Sequence, residues 1–358
     1  MSPHQILVGL LILYPVAIWG VFKLWWVSQS KFRTLLVKYS LLVGSTLYIF
    51  GGLEFYFMNS FAVSDGFGQT KMHQNWIEKY GSFPNNSLGL RDEEHQYLDK
   101  PALYVVGDSF SAGHGINDHR DRYANVLEQK LAGDWDLVLL AKGGWGTEKQ
   151  LEVYSEISNQ RDDREGVIIW QYYLNDIEGS GKAVGLSGPA IHFPAPRILR
   201  PLVDNYHFAN FLYWGVFRTV YSAKLGEQYL AYLNQCFDDA RSWEHHRQQL
   251  QRVVNLRKRE ELTTVEELPA KRKLIVIVYP NLKNISGTRA LSDKVASFFE
   301  SQNVAVVNMA DLLGGFEASD ITVNALDGHA NEMANRLLAE HLYRNYFEQS
   351  SESRHPSN

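Results

Sequence analysis

Two long apolar runs dominate the first sixty residues of the chain. Residues 6–26 are almost uniformly apolar, and their first charge is Lys23. Residues 39–63 form a second run whose only charge is Glu54. Each run has the ~20 residues that a helix needs to cross the ~30 Å hydrocarbon layer of a bilayer. The pattern predicts a membrane anchor over residues 1–63 with two transmembrane helices, and the alternative is a buried hydrophobic hairpin in a soluble protein.

The charges between the two runs predict how the chain faces the membrane. Lys31, Arg33 and Lys38 lie there without an acidic residue, and basic residues in short loops favour the cytoplasmic side. Residues 1–5 lack the basic region of a signal peptide, so the first run is expected to be retained. The sequence therefore predicts a two-pass membrane protein with its N-terminus and everything after residue 63 on the extracytoplasmic side.

After about residue 100, short β-like runs alternate with helical stretches. Strands alternating with helices indicate a parallel sheet that helices cover on both faces, with right-handed crossovers. This pattern predicts an α/β fold, a three-layer α/β/α sandwich with a parallel five-stranded sheet, in a domain spanning residues 64–348. The predicted strands are residues 102–106, 137–140, 167–171, 274–278 and 304–307.

A long segment separates the third and fourth predicted strands. Residues 179–270 exceed the length of one crossover helix and are predicted to form an inserted loop and a helical subdomain or lid. A cluster of aromatic residues inside it is interpreted as a packed helix face, with an acyl or sugar pocket as the alternative. The tail at 349–358 is predicted to be disordered. The aromatic cluster consists of Tyr206, Phe208, Phe211, Tyr213, Trp214 and Phe217.

Charge and cysteine content narrow the functional classes. The formal net charge of −5 argues against binding to nucleic acid, which requires a basic face. The single cysteine, Cys236, excludes an intrachain disulfide and a cysteine-rich metal site. No histidine motif surrounds it, so we expect a buried and inert thiol.

The strongest chemical signal is a serine just past the first predicted strand, in Gly107-Asp108-Ser109. Functional sites of α/β proteins lie at the carboxyl ends of the strands, and N–H groups that open a helix can hold negative charge. The same residues also suit an ordinary βα turn. His114, five residues later, is interpreted as structural or solvent-exposed, with a role in shaping the pocket as the alternative.

Partners for this serine follow the later strands in order. Gly144 lies in a glycine-rich turn after the second strand, and Asn175 follows the third. Asp327 and His329 come after the fifth strand, just before a final helix. Because the carboxyl ends of parallel strands meet at one edge, we expect these residues to lie close to Ser109.

Together these blocks resemble the SGNH family, also called GDSL esterases and lipases, which is named for a serine, a glycine, an asparagine and a histidine. Ser109, Gly144, Asn175 and His329 match these four landmarks. The resemblance covers roughly residues 86–345 and identifies the chain as a membrane-anchored member. It implies an SGNH or flavodoxin-like sandwich that hydrolyses esters and needs no cofactor and no metal.

The resemblance also implies a role for each residue. Ser109 is the nucleophile, His329 accepts its proton, and Asp327 orients the imidazole. The N–H groups of Ser109 and Gly144 and the side-chain amide of Asn175 would hold the oxyanion.

Two positions depart from the family pattern. Tyr173 stands two residues before Asn175, where the family has glycine, and is expected to narrow the site or tilt the amide. One residue separates Asp327 from His329, where the family commonly has two, so Asp320 is the alternative orienting acid.

The residues leave three functions open. The first is a serine esterase that hydrolyses acyl esters, such as acetyl esters, of an envelope or extracellular carbohydrate or lipid. The second is an O-acyltransferase that modifies a surface polysaccharide at the same site, with a partner or an extracytoplasmic acyl donor. The third is a catalytically silent glycan-binding module, which the presence of both Ser109 and His329 disfavours.

Overall fold

The structure is a computed structural model that describes residues 3–26, 31–81, 85–94, 100–159, 166–190, 195–257 and 273–348. The predicted tail at 349–358 and two parts of the predicted insertion, 191–194 and 258–270, lie outside these residues.

The α-helices are α1 (Pro3–Trp26), α2 (Lys31–Asn59), α3 (Lys71–Trp76), α4 (Ser109–Ala112), α5 (Tyr123–Lys130), α6 (Thr147–Ser158), α7 (Glu178–Ala183), α8 (Arg200–Asn205), α9 (His207–Asp238), α10 (Ala240–Asn255), α11 (Ile285–Ser301), α12 (Met309–Leu313), α13 (Ala318–Ile321) and α14 (Glu332–Leu342).

Five strands form one parallel sheet in the order β2-β1-β3-β4-β5. The predicted parallel five-stranded sheet is therefore confirmed, with strand ends that differ by one or two residues. Two further strands, β6 and β7, form an antiparallel hairpin that the sequence did not predict. The strands are β1 (Ala102–Gly107), β2 (Asp136–Ala141), β3 (Gly166–Tyr173), β4 (Lys273–Tyr279), β5 (Ala305–Asn308), β6 (Thr322–Asn324) and β7 (Asp327–Ala330).

The sheet is buried on both faces. Along β1, Tyr104 and Val106 belong to a core that α6, α10 and α11 cover, and Leu103 and Val105 belong to a second core under α5 and α14. Successive side chains of a strand point to opposite faces of the sheet. Because helices cover both faces, every position of a central parallel strand is buried and suits an apolar residue. The two cores and the sheet between them form three layers.

The chain divides into two compact units. The five-stranded sheet, Ser109, Asp327 and His329 belong to the larger unit, and helices α1 and α2 belong to the smaller one. The smaller unit comprises Met1–Val63, Gly68–Trp76 and His192–Ser222, and the larger comprises Ser64–Phe67, Ile77–Ile191 and Ala223–Asn358.

Within the described residues, one helix is long and apolar enough to cross a membrane. This candidate is Val37–Asn59, with 23 residues and a mean hydropathy of 1.4. A shorter apolar stretch, Ile12–Val21, lies within α1. The prediction of two transmembrane helices is therefore corrected to one candidate span.

Glu54 of α2 lies at the start of α9 rather than alone in the apolar run. Its two carboxylate oxygens accept hydrogen bonds from the backbone N–H groups of His207 (2.7 Å) and Phe208 (2.8 Å). An anion at a helix N-terminus stabilises the helix through its dipole and its unpaired N–H groups. Phe57 packs on the rings of Phe208 and Phe211, with centroids 5.5 and 4.5 Å apart. These two members of the aromatic cluster thus form a packed helix face.

Candidate active site

Ser109 follows β1 directly, as the first residue of α4. Asp108 caps this helix, because its side chain accepts a hydrogen bond from the backbone N–H of Phe110 at 2.9 Å. Only glycine fits at position 107, since a Cβ there would lie 2.4 Å from the hydroxyl of Ser111. This strand–turn–helix junction places Ser109 at the carboxyl edge of the sheet, where the sequence predicted it.

His329 contacts both the serine and an acid. Its Nε2 lies 2.8 Å from Ser109 Oγ, and its Nδ1 lies 2.5 Å from Asp327 Oδ1. An ionised carboxylate only accepts hydrogen bonds, so Nδ1 carries the ring proton. The unprotonated Nε2 of the neutral ring then accepts the hydrogen bond of the Ser109 hydroxyl. A serine, a neutral imidazole and a carboxylate in this order can activate the hydroxyl as a nucleophile.

The β6–β7 hairpin explains why one intervening residue is enough between Asp327 and His329. Both residues belong to β7, and alternate residues of a strand point to the same side. Asp320 lies in α13, where its carboxylate accepts from Ser319 Oγ at 3.5 Å. The structure therefore brings Asp327, and not Asp320, to the imidazole.

The Asp327 carboxylate is fully buried, at 0% exposure, yet it stays ionised. Burial by itself would raise the pKa of this carboxyl. The hydrogen bond and the charge of His329 oppose this effect of burial. The charge of His114 and the hydrogen bond of Ser64 act in the same direction. Together they hold the pKa of Asp327 well below its usual range. A permanently charged acid fixes the tautomer of the base.

The glycine-rich turn after β2 lies beside the nucleophile. A Cβ on Gly143 would lie 3.8 Å from Ser109 Cβ, and Gly144 has a φ of +81°, which favours glycine. Asn175 lies in the 3₁₀ turn Leu174–Ile177 after β3. Its Oδ1 is buried and has no hydrogen-bond partner among the described residues. Both segments reach the edge that carries Ser109, and their roles as oxyanion donors stay predictions.

Two buried carboxyl groups, Asp108 and Asp176, lie next to site residues in the chain, and no sequence pattern indicates their pKa values. Burial raises the pKa of Asp108 to about 6. Burial, and then the charge of Asp108, raises the pKa of Asp176 well above its usual range. Asp176 Oδ2 accepts from the Thr147 hydroxyl at 3.0 Å, which ties the start of α6 to the turn after β3.

Tyr173, the departure from the family pattern, supports the base indirectly. Its ring lies 4.8 Å from that of Phe110, and Phe110 in turn lies 4.9 Å from the His329 ring. The large side chain therefore takes part in an aromatic layer against which the imidazole packs.

Ser64 and His114 also reach the site, and sequence reasoning missed the first and undervalued the second. The Ser64 hydroxyl donates to Asp327 Oδ2 across 263 residues of chain. The His114 ring packs on the His329 ring, with centroids 4.4 Å apart. No motif surrounds Ser64, and the only sequence signal for His114 is its position five residues after Ser109.

One group of side chains within the described residues could share a cation. His114, Asp327 and His329 offer ligand atoms that all lie within 4.8 Å of one another. Both ring nitrogens of His329 already have hydrogen-bond partners, Asp327 Oδ1 and Ser109 Oγ, so a cation bound through His329 would replace one of these hydrogen bonds. Metal binding and the serine–histidine–aspartate arrangement therefore compete for the same atoms.

Comparisons with known proteins add the following. No protein-family model and no curated protein matches the sequence. Similar solved structures include a lipolytic G-D-S-L family protein from Veillonella parvula, with 12% identity, a TM-score of 0.38 and coverage of 68% of this chain and 97% of that one. A carbohydrate acetylesterase family member from Sinorhizobium meliloti has 13% identity, a TM-score of 0.39 and coverage of 71% and 98%. A lipase from a goat rumen metagenome has 15% identity, a TM-score of 0.39 and coverage of 69% and 98%.

Proposed function

We propose that this chain is a serine esterase in which His329 activates Ser109 and Asp327 holds His329 in place. One observation carries the proposal: the imidazole bridges the serine hydroxyl at 2.8 Å and a buried carboxylate at 2.5 Å. Such a bridge supplies the base that a serine hydroxyl needs at neutral pH. The sequence blocks that resemble the SGNH family support the same reaction.

The geometry defines the path of one proton. As Ser109 Oγ attacks the ester carbonyl carbon, its proton passes to His329 Nε2, and the imidazolium then gives that proton to the leaving alkoxide. Water next attacks the acyl-enzyme with His329 again as base, which releases the acid and restores Ser109. In this proposal the N–H groups of Ser109 and Gly144 and the amide of Asn175 hold the negative oxygen of both tetrahedral intermediates.

The proposed substrate is an acyl ester, with acetyl as the first candidate, on an envelope or extracellular carbohydrate or lipid. An extracytoplasmic location of the larger unit would bring the site to this class of substrate. Transfer to a sugar hydroxyl would use the same acyl-enzyme with a different acceptor, and the tethering of the site to a membrane favours it as the second candidate. An acetylated sugar formed from an acetyl ester plus sugar would indicate transfer, whereas free acetate alone would indicate hydrolysis.

A fluorophosphonate probe is expected to label the full-length protein at Ser109, because phosphorus reacts readily only with a serine that a base activates. The measurement is gel fluorescence of the detergent-solubilised protein, followed by peptide mapping of the modified residue. Heat-denatured protein should remain unlabelled. Folded protein that stays unlabelled beside a labelled control esterase would contradict the proposal and favour a silent glycan-binding module.

We also propose that α2 anchors the chain with the larger unit on the extracytoplasmic side. The basic residues Lys31, Arg33 and Lys38 flank the start of the candidate span and favour the cytoplasm. The smaller unit carries a second exposed apolar stripe at helical spacing, Leu212, Val216 and Val220, with exposures of 46%, 65% and 62%. An apolar stripe on the unit that holds the candidate span suits a lipid surface.

Cysteine labelling tests this topology, because the native Cys236 is buried and gives little background. In intact spheroplasts, a membrane-impermeant maleimide is expected to label Ser155→Cys, an exposed position of the larger unit. The matched control, Lys31→Cys, should label only after lysis. The reverse result would place the catalytic unit in the cytoplasm.

A further inference from the structure

Residues 64–66, which follow α2 in sequence, are hydrogen-bonded to the hairpin that carries the acid. The Ser64 hydroxyl donates to Asp327 Oδ2. The Ser64 carbonyl accepts from Asn324 Nδ2 at 3.0 Å, and the Gly66 N–H donates to the Leu326 carbonyl at 3.1 Å. Hydrogen bonds at the Ser64 carbonyl and at the Gly66 N–H therefore hold the Ser64 hydroxyl against one particular carboxylate oxygen.

His114 approaches the same oxygen from another element. Its Nε2 lies 3.0 Å from the Asp65 carbonyl oxygen and 3.4 Å from Asp327 Oδ2. A carbonyl only accepts, so Nε2 carries a proton and presents an N–H to both oxygens. Gly115 leaves room for this contact, since a Cβ there would lie 2.9 Å from Asp327 Oδ2.

The two oxygens of the Asp327 carboxylate thus have separate partners. Oδ1 accepts from His329 Nδ1 and from the His329 backbone N–H at 3.0 Å. Oδ2 faces Ser64 and His114. A buried carboxylate oxygen without a donor is costly, so removal of the Oδ2 donors would favour rotation of the carboxylate away from its position toward His329.

We propose that Ser64 and His114 are positioning residues that hold Asp327 Oδ2 so that Oδ1 stays aligned with the base. This inference rests on the proposed esterase function. It extends the site to a segment that lies next to the candidate membrane span in sequence. Neither residue touches the reacting atoms in this proposal, and both act through Asp327.

The matched pair Ser64→Thr and Ser64→Val tests the role of the hydroxyl, because the two side chains have similar volume and differ in the donor. Full-length protein in detergent is reacted with the fluorophosphonate probe across a range of pH. Ser64→Val is expected to react about 10- to 100-fold more slowly than Ser64→Thr, the range for a hydrogen bond to a charged group. His114→Gln, which keeps an N–H donor, and His114→Leu form a second pair with the same expected order.

The pH profile separates positioning from a general loss of folding. The groups that face the His329 imidazole are Asp327, His114 and, at longer range, Asp108. Removal of a donor from Oδ2 lets the carboxylate turn away from His329 and leaves less negative charge beside the imidazolium, so the acidic limb of the labelling rate should move to lower pH, by on the order of half a unit. A smaller folded fraction would lower the rate without moving this limb.

Three outcomes would overturn the inference. In the first, Ser64→Val and Ser64→Thr label at the same rate. In the second, Ser64→Val labels more slowly but its acidic limb does not move. If wild-type protein labels at Ser109, either outcome removes only the positioning role and leaves the esterase proposal intact. Wild-type protein that does not label removes both.

Discussion

Replacement of Ser109 or His329 by alanine is expected to lower kcat/KM for ester hydrolysis by on the order of 10⁴- to 10⁶-fold. Ser109→Ala removes the only atom that can form the acyl-enzyme in the proposed reaction. His329→Ala leaves the hydroxyl without the acceptor that now lies 2.8 Å away, so its proton has nowhere to go during attack. Since the two residues act as one unit, the double variant should be no slower than either single variant.

The measurement is hydrolysis of p-nitrophenyl acetate by the full-length protein, with thermal unfolding as the check on folding. Asn175→Ala provides a graded comparison, because loss of one oxyanion donor costs ~10²- to 10³-fold while the serine–histidine pair remains. A His329→Ala variant that stays folded and keeps activity within tenfold of wild type would contradict the assignment of the base. An unchanged Asn175→Ala variant would remove only the oxyanion role of the amide.

The sheet and the core of the site could be predicted from the sequence because their signals are local. Central strands such as Val167–Gln171 are short β-branched runs, and Ser109, Gly144 and Asn175 each follow a predicted strand within a few positions. Parallel strands then bring Ser109 and the segments of Gly144 and Asn175 to one edge without any long-range information. The requirement for glycine at position 107 is only partly local, since a Cβ there would meet Ser111 in the same turn and the Gln171 side chain of β3.

The parts that could not be predicted depend on contacts between distant residues or on very short elements. Ser64 is hydrogen-bonded to Asp327, which lies 263 residues later in the chain, and no sequence pattern near Ser64 predicts such a bond. Strand β6 has three residues and β7 has four, including the polar Asp327 and His329, so neither shows the apolar alternation typical of strands. The pKa of Asp176 depends on burial and on the neighbouring charge of Asp108, which only the folded chain brings together.

Asp327→Asn is expected to lower kcat by about 10⁴-fold while the fold is retained. Both carboxylate oxygens of Asp327 face hydrogen-bond donors, His329 on one side and Ser64 with His114 on the other. An asparagine must turn its NH₂ group toward one of these sets. If it faces His329, Nδ1 has to accept, the ring proton moves to Nε2, and the imidazole can no longer take the proton of Ser109.

Stability against pH provides the second measurement for Asp327→Asn. The folded-state pKa of Asp327 is depressed, so its ionised form stabilises the fold above the ordinary aspartate pKa of about 3.9, and this contribution is lost as the pH falls toward the depressed value. Wild type should therefore unfold at a higher temperature than Asp327→Asn at pH 7, with a gap that narrows below about pH 4. Equal unfolding temperatures at pH 7 together with wild-type kcat would show that another acid orients His329. If kcat falls while the unfolding temperature is unchanged, the substitution acts only by changing the tautomer of His329.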